Sequence, residues 1–268
     1  MRVVPVLALV MILAGGAMAQ EKARMLGRGD LLGWEAVGRL DFGDGTCTGT
    51  LVARDLVLTA AHCVVDSGTA RIKPLDRMVF RAGYVHGSAQ ATRRVRKIVV
   101  ADGYTRSANS SLTERVARDL ALLRLDQPVY SNEADPFAIH GSAPSDTRVT
   151  LVSYGQGRNE TLQRESGCRL KQTYRGGIMT FDCDVTFGSS GAPVFTREEG
   201  RLRLLSVVSM KADLPGRAKE AIGMSLPKLV ARMKRRMGVP ATPVPVIAGA
   251  RRITAGERSI GGARFVRP

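Results

Sequence analysis

The sequence is poor in the residue types that most often build metal sites and nucleic-acid surfaces. It has three histidines and four cysteines among 268 residues and no Cys-x-x-Cys motif, which argues against a zinc site; no other metal and no cofactor is expected. Aromatic residues are 5% of the chain and do not interleave with basic ones, so a stacking platform for nucleic acid is not expected. Beyond the first 19 residues, no apolar run approaches the roughly 20 residues that span a bilayer.

Acidic residues are scarce as well, and the chain carries a net charge of +16 from 40 Lys and Arg against 24 Asp and Glu. Such an excess is typical of proteins that bind nucleic acid, an anionic surface or a polyanionic substrate. More than half of it lies in residues 226–268, where ten basic residues accompany one Glu. We therefore interpret it as a cationic appendage suited to an anionic surface; a merely solvated tail is the alternative.

The first 19 residues have the three parts of a secretory signal peptide. Arg2 provides a basic start, residues 3–14 are apolar apart from one proline, and residues 17–19 have the small residues of a cleavage site. An uncleaved anchor is the alternative, but the apolar run is shorter than a bilayer requires. We expect a mature chain that begins near Gln20 and is secreted or periplasmic.

The four cysteines are expected to form disulfides in such an oxidising compartment. Four cysteines allow three pairings. Cys47 and Cys63 flank an apolar stretch typical of a strand, and Cys168 and Cys183 flank the turn-forming residues 175–177. We favour the pairing of neighbours, which gives one bridge in each of two hairpins.

Short apolar runs separated by turn residues predict an all-β fold, either a sandwich or a barrel. The chain is long enough for one large domain or two small ones. The predicted strands are 35–42, 46–52, 56–60, 78–84, 95–100, 119–125, 148–154, 168–174, 178–184, 192–196 and 202–209.

Four further segments do not fit the strand pattern. Residues 20–33 are interpreted as a lead-in or a short propeptide, and residues 102–118 as a polar surface loop. A helix is predicted over 227–237, where four apolar residues follow helical spacing among basic ones. Residues 239–268 are rich in proline, glycine and arginine and are predicted to be a flexible basic tail.

Three short motifs occur in the order His, Asp, Ser: LTAAHC around His62, RDLALL around Asp119 and GSSGAP around Ser190. Taken singly, the first could be a core histidine, the second a turn residue and the third one of many turn serines. Together and in this order, the motifs make residues 34–237 resemble the chymotrypsin-like (trypsin-fold) serine proteases, because other triad folds use different orders.

The resemblance implies two antiparallel six-stranded β-barrels with a C-terminal α-helix, and a protease domain over residues 34–238. It also implies a catalytic triad. A serine hydroxyl is a weak nucleophile that needs an adjacent base, so His62 would take the Ser190 proton while Asp119 orients the imidazole. The N–H groups of Gly188 and Ser190 would form the oxyanion hole.

Departures from the animal members of this family make the chain more similar to bacterial relatives, including glutamyl-endopeptidase-like enzymes. Ser189 stands where animal enzymes have an Asp before the nucleophile, and no Ile-Val-Gly-Gly-like sequence precedes Trp34. These two absences indicate that activation by a newly exposed N-terminus does not apply. Ala192, in place of the second glycine of the animal motif, is a further bacterial trait.

The sequence predicts the residues of the specificity pocket less clearly than those of the catalytic triad. Asp184 lies six residues before Ser190, the offset at which trypsin has the Asp that selects Arg or Lys; a solvated residue beside a disulfide is the alternative. Ser209 and Gly223 resemble other walls of the pocket and are candidate substrate-binding residues. Lys211 could narrow the cleft or attract an acidic residue, so the preference at the cleaved bond stays open.

Two rival functions are compatible with parts of the sequence. A relative that has lost catalysis could serve as a cationic binding protein, but all three triad positions are present. A basic adaptor for nucleic acid or an anionic envelope surface has only the charge in its favour. We expect a monomeric serine endopeptidase that acts on protein or peptide substrates, with no nucleic acid as partner.

Overall fold

The computed structural model describes residues 21–43, 45–107, 110–155, 157, 159–186, 188–212 and 220–239. The predicted signal peptide and nearly all of the predicted basic tail lie outside the described residues. Within them, the α-helices are α1 (Ala61–Val64), α2 (Leu112–Ala117) and α3 (Pro227–Met237). The strands are β1 (Glu21–Met25), β2 (Val37–Asp41), β3 (Thr46–Ala53), β4 (Leu56–Thr59), β5 (Val79–Ala82), β6 (Ala91–Val100), β7 (Ala121–Leu125), β8 (Arg148–Ser153), β9 (Leu162–Thr173), β10 (Ile178–Phe181), β11 (Pro193–Glu198), β12 (Arg201–Ala212) and β13 (Glu220–Ser225).

The first barrel closes through six antiparallel strands in the order β2-β3-β4-β7-β6-β5, and β5 returns to β2. Its interior follows from the two-residue period of a strand, in which successive side chains point to opposite faces. In β5, for example, buried Phe80 and Ala82 alternate with half-buried Val79 and Arg81. Closure pairs each strand on both sides and leaves no long free edge.

The second barrel is formed by β8 to β13 in the circuit β8-β9-β10-β13-β12-β11, in which all neighbours are antiparallel. β1 adds to β9, with Glu21 opposite Ser166 and Met25 opposite Leu162. The two circuits and α3 confirm the predicted pair of six-stranded antiparallel barrels with a C-terminal helix.

Apolar side chains form one cluster inside each barrel and a third cluster between the barrels. The third cluster includes Trp34, whose ring packs edge-on against Phe195 with 5.5 Å between ring centres. Val230 and Met233 of α3 cover the same cluster. Burial of each large apolar side chain is worth about 1.5–3 kcal/mol, so this cluster holds the barrels together and fixes the residues at their junction.

The sequence prediction omits β1, β13 and α2 and starts β9 at residue 168 instead of Leu162. β1 and the first half of β9 are rich in polar and charged residues, which hides their strand character. The loop prediction for residues 102–118 is wrong where α2 forms. Ser111 and Glu114 cap that helix reciprocally, and the Ser-x-x-Glu spacing is a signature that can be read in a sequence.

The two segments that flank the barrels differ in how well the sequence predicts them. Residues 21–33, part of the segment expected to be a lead-in or a short propeptide, pack on the protein, because β1 pairs with β9 and Leu31 is buried. The helix over 227–237 is confirmed, with Pro227 at its start and Gly238 at φ +78° just after its end, as is usual for helix termini. None of the helices in the described ranges is long and apolar enough to cross a membrane.

Candidate active site

One pair of strands in the first barrel brings His62 and Asp119 together. β4 and β7 are antiparallel with Thr59 opposite Ala121, so the residues that follow β4 and those that precede β7 meet at the same end of the barrel. His62 lies in α1, directly after β4, and Asp119 lies two residues before β7. The register of this strand pair therefore sets their separation in space.

Asp119 is 4% exposed, and its carboxylate accepts hydrogen bonds from several donors, as a buried charge requires. Its Oδ2 lies 2.7 Å from His62 Nδ1, and its Oδ1 accepts the His62 backbone N–H at 2.9 Å. Ser209 Oγ also donates to Oδ2, at 2.5 Å. The contact with the carboxylate favours a proton on Nδ1, which leaves Nε2 as the basic nitrogen of the imidazole.

Ser190 lies in a tight turn before β11, between two glycines with positive φ. These are Gly188 at +86° and Gly191 at +77°, in the left-handed region that glycine adopts most easily. Ser190 and His62 line the same cleft, but among the contacts of the described residues no hydrogen bond joins Ser190 Oγ to the imidazole. Catalytic hydrogen bonds are often long without substrate and tighten when it binds.

Two backbone N–H groups of this turn are available as donors. Within the described ranges, Gly188 N–H and Ser190 N–H donate to no other protein group, whereas Ser189 N–H and Gly191 N–H are both bonded to carbonyls. Unpaired N–H groups beside a nucleophile can bind an oxygen that becomes negative during a reaction. The turn thus has the donors that an oxyanion hole needs.

Ser189 is buried and held by neutral hydrogen bonds. Its Oγ donates to Ser153 Oγ at 3.2 Å and accepts the Thr186 N–H at 3.4 Å. A neutral residue at this position therefore has partners of its own within the second barrel, so the turn does not require an ion pair there.

A cleft of about 570 Å³ contains His62 and Ser190 and is lined by both barrels. One side includes the end of β12, with Ser209 and Lys211. The other side comes from the insertion that the sequence predicted to be only a surface loop, through Tyr104, Thr105, Arg106, Leu112, Arg115 and Val116. Burial and the nearby Asp119 charge raise the pKa of Tyr104. The sequence signals the α2 cap, but it does not signal that α2 faces the cleft.

The predicted pocket residues Asp184 and Gly223 lie outside the described lining of this cleft. Asp184 Oδ2 is 2.6 Å from Lys22 Nζ of β1, and the Asp184 N–H donates to Glu165 Oε1 at 3.1 Å. Burial raises the pKa of the Glu165 carboxyl group. Gly223 lies in β13 opposite Val208, where an added Cβ atom would collide with atoms of β12. Gly223 therefore permits close strand packing directly behind a residue of the cleft.

Two disulfides flank the site and join neighbouring cysteines, as the sequence favours: Cys47 to Cys63 and Cys168 to Cys183. The first bridge ties β3 to the residue after His62. Cys47, His62 and Cys63 form the one group of three possible metal ligands found in the described part of the chain. Both sulfurs of this group are bonded to each other, so it offers no thiolate ligand.

The family relationship follows from the sequence around this site. The sequence profile of the trypsin-like peptidase domain matches residues 47–203, more than half of the chain. The chain belongs to the trypsin-like peptidase family. The match includes all three motif residues, and it confirms the resemblance inferred from the order of the motifs.

Individual trypsin-like relatives agree with this assignment. A glutamyl endopeptidase of Bacillus licheniformis is 27% identical over 68% of this chain and 55% of its own length. A modular serine protease of Drosophila melanogaster is 41% identical over 31% of this chain and 13% of its own length. The chain spans less than two thirds of the curated relatives that it matches. Among solved structures, a Glu endopeptidase in complex with MPD shares the fold, with a TM-score of 0.66 at 16% identity over 81% of this chain and 96% of that one.

Proposed function

We propose that the chain is a secreted serine endopeptidase that hydrolyses peptide bonds through Ser190, His62 and Asp119. The observation that carries this proposal is the 2.7 Å contact of His62 Nδ1 with the buried Asp119 carboxylate, in a cleft that Ser190 also lines. Membership of the trypsin-like peptidase family supports the same class of reaction.

In the proposed reaction, Ser190 Oγ attacks the carbonyl carbon of the substrate while His62 Nε2 takes its proton. The N–H groups of Gly188 and Ser190 stabilise the tetrahedral oxyanion, and one such donor is worth about 3 kcal/mol. The imidazolium, stabilised by Asp119, then protonates the leaving amine, which gives an acyl-enzyme. A water molecule repeats the same steps, releases the carboxylic acid and restores the serine. Ser209 assists by holding the carboxylate of Asp119.

The proposal also states where the protein is located and which residues form its protease domain. The signal peptide predicted over residues 1–19 and two disulfides support an extracellular or periplasmic protein. The protease domain predicted over 34–238 is extended by residues 21–33, because β1 is paired with β9. We keep the expectation of a monomer, and that of a basic tail over 239–268 that contacts an anionic surface.

The substrate preference has two candidates. A preference for Arg or Lys depends on Asp184, but the 2.6 Å ion pair with Lys22 competes with a cationic substrate for that carboxylate. A preference for acidic residues is favoured by Arg106, Arg115 and Lys211 in the cleft lining and by the relative named glutamyl endopeptidase. A peptide-library cleavage profile distinguishes the two candidates.

The decisive experiment is reaction of the native protein with a fluorophosphonate, followed by intact mass measurement. We expect one adduct on the native protein and none on Ser190→Ala. Ser189→Ala is the matched control, because this neighbouring serine is buried and its loss should not remove the adduct. A native, folded protein that gives no adduct and hydrolyses no peptide contradicts the proposal.

A catalytically inactive cationic binding protein or surface adaptor is the alternative. Its support is the basic C-terminal part, including the exposed Lys228, Arg232 and Arg235 of α3. Binding of DNA or of anionic vesicles by Ser190→Ala at physiological salt, together with the absence of a fluorophosphonate adduct on the native protein, would favour this alternative.

A further inference from the structure

Thr48 of β3 is fully buried. Its polar atoms form hydrogen bonds within the first barrel, to the second barrel and to the turn that holds Ser190. Its N–H donates to the Ser190 carbonyl at 2.9 Å, and its carbonyl accepts Thr59 Oγ1 at 2.8 Å. Its Oγ1 donates to the Gly188 carbonyl at 3.2 Å and accepts the Tyr154 N–H at 3.0 Å. One side chain of the first barrel thus bonds two different segments of the second.

The bond from Tyr154 determines what the Thr48 hydroxyl can do. A hydroxyl has one proton to donate and two lone pairs that accept. Because Tyr154 N–H can only donate, Thr48 Oγ1 must accept from it, and the hydroxyl proton is then directed to the Gly188 carbonyl. The Tyr154 N–H, just after β8, thus makes the Thr48 hydroxyl an acceptor on one side and leaves it to donate to Gly188 on the other.

The Gly188 carbonyl belongs to the peptide unit between the two candidate oxyanion donors. Rotation of that unit would change the direction of the neighbouring Gly188 and Ser190 N–H groups, and the Gly188 carbonyl could then face the substrate oxygen. Gly188 is at φ +86° and has no Cβ to restrain it. Within the turn, this peptide unit is held at its N–H end, where Ser189 N–H donates to the Thr186 carbonyl at 3.1 Å. Thr48 holds the carbonyl end of the same unit from the first barrel through its hydroxyl, and its N–H holds the Ser190 carbonyl, which belongs to the Ser190–Gly191 peptide.

We propose that Thr48 is a positioning residue for the oxyanion hole, whose hydroxyl holds the Gly188–Ser189 peptide in the orientation that catalysis needs. This inference rests on the serine endopeptidase function proposed above. Thr48 does not contact the reacting atoms itself. It acts through the peptide that it binds, so its effect should appear in the chemical step more than in substrate binding.

Thr50 provides an internal comparison on the same strand. It lies two residues after Thr48, on the same face of β3 by the period of a strand, and it is also fully buried. Its Oγ1 has no hydrogen-bond partner among the described residues. Thr50→Val therefore measures the effect of losing a buried β3 hydroxyl that holds no other group.

The test compares Thr48→Val, Thr48→Ser and Thr50→Val in the full-length protein, with kcat expressed per active site titrated by the fluorophosphonate. Valine has nearly the shape of threonine but lacks the hydroxyl. We expect Thr48→Val to lower kcat by about 10- to 100-fold with KM changed less than threefold, somewhat less than the loss caused by removing an oxyanion donor outright. Thr48→Ser should stay within about threefold of the native kcat, and Thr50→Val should match the native protein.

The outcomes separate this inference from the function on which it rests. A native protein without adduct and without hydrolysis overturns both. An active native protein whose Thr48→Val variant keeps its kcat, or loses no more than Thr50→Val, overturns the role of Thr48 alone. Thermal unfolding shows whether each variant is folded at the assay temperature, and Thr48→Ala replaces Thr48→Val if the latter is not.

Discussion

Substitution of Gly191 by alanine tests how closely the Ser190 turn approaches the first barrel. Gly191 is at φ +77°, and an added Cβ atom would collide with the Thr48 carbonyl oxygen and Thr59 Oγ1, and lie 3.1 Å from Ala60 N. Two of these three contacts are main-chain atoms of the first barrel. They cannot move aside as the end of a flexible side chain could, so the turn itself must shift.

The expected cost has two parts. The left-handed conformation costs a residue with a Cβ about 1–2 kcal/mol, and the steric overlap adds about 1–3 kcal/mol. The sum of about 2–5 kcal/mol lowers Tm by about 4–20 °C at about 2–4 °C per kcal/mol for a chain of this size. Gly200 is the matched control, because it has the same φ of +77° with nothing within 4 Å of an added Cβ, and its alanine variant should incur only the first part.

The assay is thermal unfolding followed by circular dichroism, together with kcat per titrated active site. Gly191→Ala should lose clearly more stability than Gly200→Ala, and it alone should lose activity, because the shift displaces the Ser190 carbonyl from Thr48 N–H. Equal losses of Tm in the two variants, with full activity in both, would refute the close approach on which this reasoning depends.

Two further predictions concern groups near the site. Ser209→Ala removes a hydrogen bond to the Asp119 carboxylate. Because a hydrogen bond to a charged group is worth about 1.5–3 kcal/mol, kcat/KM should fall by about tenfold or more. An unchanged kcat/KM would contradict a role for this bond. Burial raises the pKa of the Glu165 carboxyl group above its ordinary 4.5. The folded protein therefore holds the carboxyl proton more tightly than the unfolded chain, and the free energy of unfolding falls as the pH rises from about 4.5 through the raised pKa. Glu165→Gln keeps an acceptor for Asp184 N–H and should therefore show a weaker decrease in the free energy of urea unfolding above about pH 4.5, whereas parallel curves for the two proteins would refute this.

The sequence predicts those parts of the fold that depend on local patterns. Alternating apolar residues identify most strands, and the pairing of Cys47 with Cys63 is favoured because these neighbouring cysteines flank one apolar stretch, which contains most of β3 and all of β4. The three motif residues stand out in the sequence because each of the chemical roles proposed for them requires its own residue type. Gly188 and Gly191 reveal the turn since only glycine adopts their backbone conformation easily.

Contacts between segments distant in the sequence were not predictable. Nothing near Asp184 indicates that Lys22, on a polar edge strand, would bind its carboxylate. The sequence predicts Ser209 only as a wall of the substrate pocket, and its bond to Asp119 links residues 90 positions apart on different barrels. Thr48 looks like an ordinary strand residue until the barrels are docked. These interactions depend on how two closed sheets pack, which strand periodicity does not encode.

The division of the site between two barrels has a consequence for the chain while it is still folding. His62 and Asp119 belong to the first barrel, and Ser190 and Ser209 come from the second. Neither barrel holds both the proposed base His62 and the proposed nucleophile Ser190, so under the proposed function a chain with one barrel formed, or with both formed but apart, does not hydrolyse other chains. Under the proposed function, hydrolysis by this chain therefore begins only when both barrels have formed and docked.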